Sequence, residues 1–399
     1  MKNKFGILAG ITFIISLLSL PVKSDEIKLG IILGYTGPIE SLTEDMARGA
    51  EMAIAEVNNS SRFMGGKSTL TGIRADTTCV DAAAATAATE RLVTAEKVSA
   101  IVGGDCSGVT RAMLENVAMP NGILMISPSA TSPGFTSMED NGLFFRTSPS
   151  DARQGVIVAN VLKDKGYMTA AMTYTNNDYG KGLADSIKKN FEAVGGTITI
   201  NAAHEDGKGD YGAEVAALAQ AGGDILIVAG YLDQGGKGII QASLDTGAFD
   251  MFYLPDGMIG DSLPKAIGPD LNGSIGDAPG TNSPGAAKFV DMAKADGFNG
   301  STPFAAESYD AAALIMMAMH KAKSTDSQVF KSEVLGLANA PGEKIYPGEL
   351  SKALKYISQG MSIDYVGATD VELVNGKESA GNYKIYEVQN EQNVVVEYR

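Results

Sequence analysis

From Glu26 to Leu254 the chain alternates short apolar runs with helix-forming stretches, and this rhythm constrains the fold more than any other feature. Glu26–Leu33 carries Ile27, Leu29, Ile31, Ile32 and Leu33, the pattern of a strand buried on both faces. The turn Gly34–Pro38 leads to a helix whose entry is expected at a capping box of Ser41 and Glu44. Met46, Ala50, Ala53, Ile54 and Val57 then share one helical face. Further helices are predicted over Ala82–Lys97, Val109–Ala118, Asp151–Lys165, Gly182–Val194, Ala213–Ala221 and Gly236–Leu244. Between them fall strands at Val98–Val102, Ile123–Ile126, Thr169–Thr175, Thr197–Ala202, Asp224–Ala229 and Met251–Leu254. Strands separated by helices pair in parallel, with helices on both sheet faces. The expected class is therefore α/β, with doubly wound parallel sheets.

The last third is less regular. Pro279–Pro284 reads as a connector, and Ala306–Ala322 as a helix whose Met316, Met317 and Met319 fill a core. Val366–Tyr386 reads as two or three strands with turns at Asn375-Gly376 and Gly381, and Gln389–Arg399 as a final strand. No repeat of solenoid period is present.

The first residues have a different character. Lys2 and Lys4 precede the apolar run Leu8–Leu20, and Val22 and Ser24 have the compact shape a signal-peptide cleavage site needs. Cleavage is expected near Ser24, giving an exported mature chain. The formal net charge is −15, and loss of Lys2, Lys4 and Lys23 makes it three units more negative. A chain so acidic is repelled by nucleic acid and by anionic bilayers. Cys79 and Cys106 are the only cysteines. In an exported chain an isolated pair is read as bridged, and two cysteines alone do not make a metal site.

In parallel sheets ligands gather beyond the carboxyl ends of the strands. The loops there are Tyr35–Leu42, Gly103–Ser107, Ser127–Ser132, Asn176–Gly180, Tyr231–Gln234 and Asp256–Met258, all rich in hydroxyls, glycine, tyrosine or acids. The chemistry of catalysis is missing. There is no G-x-S-x-G elbow near His204 or His320. Gly65-Gly66-Lys67-Ser68 lacks the glycine that a phosphate loop requires, since Ser61 stands there. No cluster has zinc spacing. No enzyme, metal or cofactor is expected.

Several stretches together resemble the periplasmic branched-chain amino acid binding proteins of ABC transporters. They are LGYTGPIESL, GGDCSGVT, ILMISPSATSPGFT, FRTSP, NNDYGKGLADSIK, VAGYLDQGG, YLPDGM and ESYDAAAL. The resemblance implies two doubly wound lobes joined by three hinge segments, with a ligand cleft between them. Lobe one would take 25–149 plus 279–383, and lobe two 150–278 plus 384–399, with FRTSPSD as the first hinge. The cysteine spacing resembles the family's single disulfide. By resemblance, Ser107, Ser129, Ala130 and Thr131 hold the ligand's α-carboxylate. Asp256 takes the α-ammonium, and Tyr179, Tyr231 and Tyr309 wall the cleft. Leu42 stands where the family presents an aromatic, and Glu40 and Glu307 are expected near the pocket. The implied role is a periplasmic receptor, acting as a monomer, that delivers a neutral or branched-chain amino acid to an ABC permease. An amide, urea or small organic acid is the alternative solute. A sensor would need a separate output partner, and a secreted hydrolase would need a nucleophile–base pair that the chain lacks.

Overall fold

The computed structural model describes residues 25–399. The apolar leader and the cleavage expected near Ser24 lie outside the described residues. The first five strands are β1 (Asp25–Leu33), β2 (Ser68–Asp76), β3 (Ala100–Gly103), β4 (Met125–Ser127) and β5 (Phe144–Arg146). The next five are β6 (Thr169–Thr175), β7 (Thr197–His204), β8 (Ile225–Ala229), β9 (Phe252–Leu254) and β10 (Ile275–Pro279). The last six are β11 (Glu343–Ile345), β12 (Ile363–Tyr365), β13 (Leu373–Val374), β14 (Glu378–Ser379), β15 (Tyr383–Gln389) and β16 (Gln392–Tyr398).

Two seven-stranded sheets result, ordered β2-β1-β3-β4-β5-β14-β13 and β7-β6-β8-β9-β10-β15-β16. The first five strands of each pair in parallel, and the additions at β13, β15 and β16 run antiparallel to their neighbours. The fold is α/β with two mixed, mostly parallel sheets. β11 and β12 form a small separate pair. Interior strands are buried on both faces: Leu29–Leu33 of β1 and all of Ile225–Ala229 in β8 are inaccessible or nearly so. The chain changes sheet after β5, after β10 and after β14. In each sheet the strand order reverses beside its first strand, so the loops leaving β1 and β3, and those leaving β6 and β8, diverge around a crevice.

The helix Ala305–Ala322 is alanine- and methionine-rich because it is buried almost all round; Met316, Met317 and Met319 are fully enclosed. It packs on the helix Glu40–Asn59 through Gly49, where a Cβ would come within 2.2 Å of the Ala305 carbonyl oxygen.

The structure departs from expectation at several points. Ser41 and Glu44 form no capping box: the helix starts at Glu40 after an uncapped Ile39. Ser41 gives its N–H to Asp233, and Glu44 pairs with Arg74. β2 and β10, and the helices Pro284–Asp296 and Leu350–Ser358, were not foreseen. Pro279 and Tyr383, both assigned to lobe one, stand opposite each other in β10 and β15 of the second sheet. The final strand is the second arm of a hairpin, turned at Asn390-Glu391 by two residues with positive φ. Among the described residues no helix is long and apolar enough to cross a membrane.

Candidate functional site

The loops at the strand ends of the two sheets meet around one small cavity. From the first sheet come Ile39 and Leu42 after β1, Asp105, Cys106 and Ser107 after β3, and Ser129 after β4. From the second come Tyr179 after β6, Tyr231 after β8, and Asp256 and Gly257 after β9, while Phe304 closes the wall. The cavity between these side chains is small, about 20 Å³, room for about one water molecule. A larger, solvent-open groove of about 940 Å³ runs alongside and shares only Leu42 with it.

Asp256 is buried, and its environment is built by its neighbours. The Tyr179 hydroxyl donates to Asp256 Oδ1 at 2.7 Å, and the Gly257 N–H donates to the Tyr179 oxygen at 3.1 Å. Gly257 has no room for a side chain, since a Cβ there would lie 2.7 Å from that same hydroxyl oxygen. Burial raises the pKa of Asp256, and the Tyr179 hydroxyl and the nearby Gln154 amide offset part of the rise. Tyr179 stacks on Tyr231, with ring centroids 5.2 Å apart. The Asn177 amide donates to the Tyr231 oxygen at 3.3 Å, and Asn177 Oδ1 caps the helix Asp178–Ala193 by accepting from the Gly180 N–H. The helix start thus fixes both rings.

The opposite wall is the hydroxyl-rich loop after β4. The Ser127 hydroxyl donates to the Gly104 carbonyl at 2.6 Å and accepts from the Ala130 N–H at 2.9 Å, so this serine shapes the turn. Ser129 donates to the Asp105 carbonyl at 3.2 Å, and Ser107 Oγ accepts from the Ser132 N–H at 3.1 Å. Behind the loop lies Arg146, fully buried, donating to the Ala130 and Ser132 carbonyls at 2.9 and 2.8 Å and paired with Glu378. Asp105 accepts from the Gly34 N–H at 2.5 Å and from the Thr77 hydroxyl at 3.1 Å, and burial raises its pKa. The Cys79–Cys106 disulfide ties the loop after β2 to the loop after β3 at the cavity edge.

Six of the expected site residues therefore converge: Leu42, Ser107, Ser129, Tyr179, Tyr231 and Asp256. Ala130 and Thr131 lie directly behind the wall. The Thr131 carbonyl accepts from the Asp151 N–H at 2.9 Å, and its buried hydroxyl faces the Asp151 carboxyl without reaching hydrogen-bond geometry. Burial and the Asp256 charge hold Asp151 well above the usual carboxylate range. Three expectations need correction. Tyr309 is not in the cavity wall: its hydroxyl donates to Glu56, and the Gly348 N–H donates to its oxygen at 3.2 Å. The helix turns this ring away, against Phe289. Glu307 lines a separate crevice with Lys384 and Tyr386. Glu40 is exposed and does not line the cavity. Asp105, Arg146 and Phe304 were missed, although an acid directly after a strand, beside a cysteine, was a readable sign.

The lining contains two acids, hydroxyls and aromatic rings, and no Lys, Arg or His. It has donors and acceptors for a small polar solute and no nucleophile paired with a base. Among the described residues no cluster of His, Cys, Asp and Glu is arranged to hold a metal ion.

This geometry agrees with the comparisons. A model of the periplasmic binding protein family matches residues 26–341. The Leu/Ile/Val-binding protein homolog 1 of Brucella melitensis is 31% identical over 310 residues, 76% of this chain and 80% of that one. Among solved structures, a branched-chain amino acid transporter substrate binding protein of Streptococcus pneumoniae, in complex with isoleucine, superposes with a TM-score of 0.77. It is 22% identical, over 94% of this chain and 99% of that one. A solute binding protein of an ABC transporter from R. palustris, in complex with 4-hydroxybenzoate, gives a TM-score of 0.74 at 20% identity, over 94% and 97%. With two like-ordered sheets meeting at one polar cavity, and with a family match spanning most of its length, the chain belongs to the periplasmic binding proteins, receptors that hold a solute without transforming it.

Proposed function

We propose that the protein captures a small neutral amino acid between its two halves and delivers it to an ABC permease. The observation that carries this reading is Asp256, a buried carboxylate in a cavity that no cationic side chain lines. A buried unpaired charge is costly, and a ligand ammonium is the partner that relieves it. Ser107 and Ser129 then receive the ligand carboxylate, while Ala130 and Thr131 hold the loop from behind. Hydroxyls suit an anion that must later be released, because they bring no counter-charge. Leu42, Ile39 and Phe304 offer an apolar wall to a neutral side chain. The names of the Brucella homologue and of the isoleucine complex fit this reading. Two lobes, broadly 25–149 plus 280–382 and 150–279 plus 383–399, close over the solute about the three segments where the chain changes sheet.

A second reading, an aromatic acid, draws on Tyr179, Tyr231 and Phe304 and on the 4-hydroxybenzoate complex. It is the weaker one, because such an anion would face Asp105 and Asp256 with no cation to meet it. A thermal-shift panel of L-amino acids, benzoate and 4-hydroxybenzoate decides. Saturation at a thousand times Kd stabilises by about 4 kcal/mol. A shift with alanine, valine, leucine or isoleucine is expected; a shift with the aromatic acids alone would reverse the order of the readings.

A further inference from the structure

Outside the cavity the two halves touch through polar contacts on both rims. On one rim, Asp233, in the loop after β8, faces the start of the helix Glu40–Asn59. Its N–H donates to the Pro38 carbonyl at 3.0 Å. The Ser41 N–H donates to Asp233 Oδ2 at 3.0 Å, and the Ser262 hydroxyl donates to Asp233 Oδ1 at 2.7 Å. The Ser41 and Ser262 hydroxyls are 3.1 Å apart. Ser262 has already given its proton to Asp233, so Ser41 is the donor in that pair. On the other rim, Arg111 Nε donates to Asp178 Oδ2 at 2.6 Å.

The Asp233 contact differs in kind from the Arg111 pair. The first N–H groups of a helix have no partner within the helix, and a capping side chain normally serves them. Asp81 does so for the helix Ala82–Glu90, whereas the helix Glu40–Asn59 has no side-chain cap of its own. Its acceptor comes from the other half of the molecule. The positive end of that helix also favours a carboxylate. Once the halves part, the Ser41 N–H and the Asp233 carboxylate must both turn to water. Both contacts are partly exposed; what separates them is that Asp233 serves an otherwise uncapped helix start and also holds Ser262, whereas Arg111–Asp178 is an ion pair of a kind that salt screens. Asp233 does not line the cavity.

We infer that Asp233 is a closing latch: a positioning residue that does not touch the solute yet governs how long the halves stay shut on it. This rests on the solute-receptor reading above. The test compares the mature protein with Asp233→Ala, using L-alanine, L-valine, L-leucine and L-isoleucine as probes. Titration calorimetry gives Kd, stopped-flow gives the rates, and small-angle X-ray scattering gives the compactness of each form. Loss of charge-assisted hydrogen bonds is expected to weaken binding about tenfold, wholly through faster release. The melting temperature without solute falls by no more than a few degrees, the shift that loss of one helix cap gives. Ser262→Ala, which leaves the loop backbone intact, gives a smaller loss in the same direction and guards against misfolding of the alanine variant. A Kd within twofold of the parent for both variants overturns the latch. If the parent binds none of the four amino acids, the solute reading fails by itself, and scattering then judges the latch. Loss of a compact population in Asp233→Ala supports it, and equal radii of gyration overturn it.

Discussion

Replacing Glu307 by glutamine should stabilise the protein at neutral and alkaline pH, although a carboxylate is being removed from a helix start. Glu307 is 3% exposed, and burial raises its pKa from 4.5 to about 7, with Lys384 across the crevice offsetting part of the rise. Between those values the native protein keeps the Glu307 proton while the unfolded chain has lost it. Stability from this group is therefore present below pH 4.5 and lost as pH rises through 7. At about 1.4 kcal/mol per pK unit, the loss comes to roughly 3 kcal/mol. Asp310, buried in the same helix with its pKa raised to about 6, titrates in both proteins, so most of its contribution drops out of their difference; its charge adds a small part of the rise at Glu307. Urea unfolding of parent and Glu307→Gln, from pH 4 to pH 8, reads that difference directly. The gap should shift toward the variant by up to about 3 kcal/mol across the range. Parallel stability curves, within about 0.5 kcal/mol at every pH, would refute the idea that Glu307 is buried at such cost.

Asp256→Asn should weaken amino acid binding by roughly 2–5 kcal/mol while affecting the des-amino analogue far less, as calorimetry would read; equal affinity for parent and variant would move the ammonium site elsewhere. Thiol labelling of unreduced, denatured protein should find no free thiol, and the Cys79→Ser, Cys106→Ser double variant should lose about 3–4 kcal/mol of stability, since the bridge closes a loop with a sequence separation of 27. Tyr309→Phe should cost about 0.5–1.5 kcal/mol in urea unfolding, because it removes one bond to the half-buried Glu56, which keeps the Gly348 and Leu350 N–H donors, with no change in solute affinity.

The parts of this fold that are legible in the sequence are those where burial dictates composition. β8 reads as a strand because Ile225–Ala229 has strands on both sides and helices on both faces, so every position must be apolar. β2 does not, because it is an edge strand: Ser68–Asp76 meets one neighbour, stays half-buried and needs few apolar residues. β10 hides for another reason, since Asp277 sits fully buried in it and breaks the pattern. Its Oδ1 accepts from the Gln154 amide at 3.3 Å, a partner far away in sequence. The loops that line the cavity were readable from their place after strand ends, whereas the individual residues within them were read from the family resemblance. Phe304 was not, because it enters the wall from a left-handed conformation, φ +68°, before a helix, where no periodicity marks it. Tyr309 misled because a motif match fixes its place on a helix without fixing which way that helix faces.

The placement of the late strands sets an order of events in time. β5 awaits β14, and β10 awaits β15, which arrives about a hundred residues later along the chain; pairings so distant in sequence form slowly. Until Tyr383 has been made, the edge of β10 offers unpaired N–H and C=O groups along a strand that is otherwise buried. The first sheet is completed by β13 and β14 and the second, a few residues later, by β15 and β16, so both wait for the end of the chain. The two sheets are separate in space but not in their assembly, and the last strands of the chain complete both.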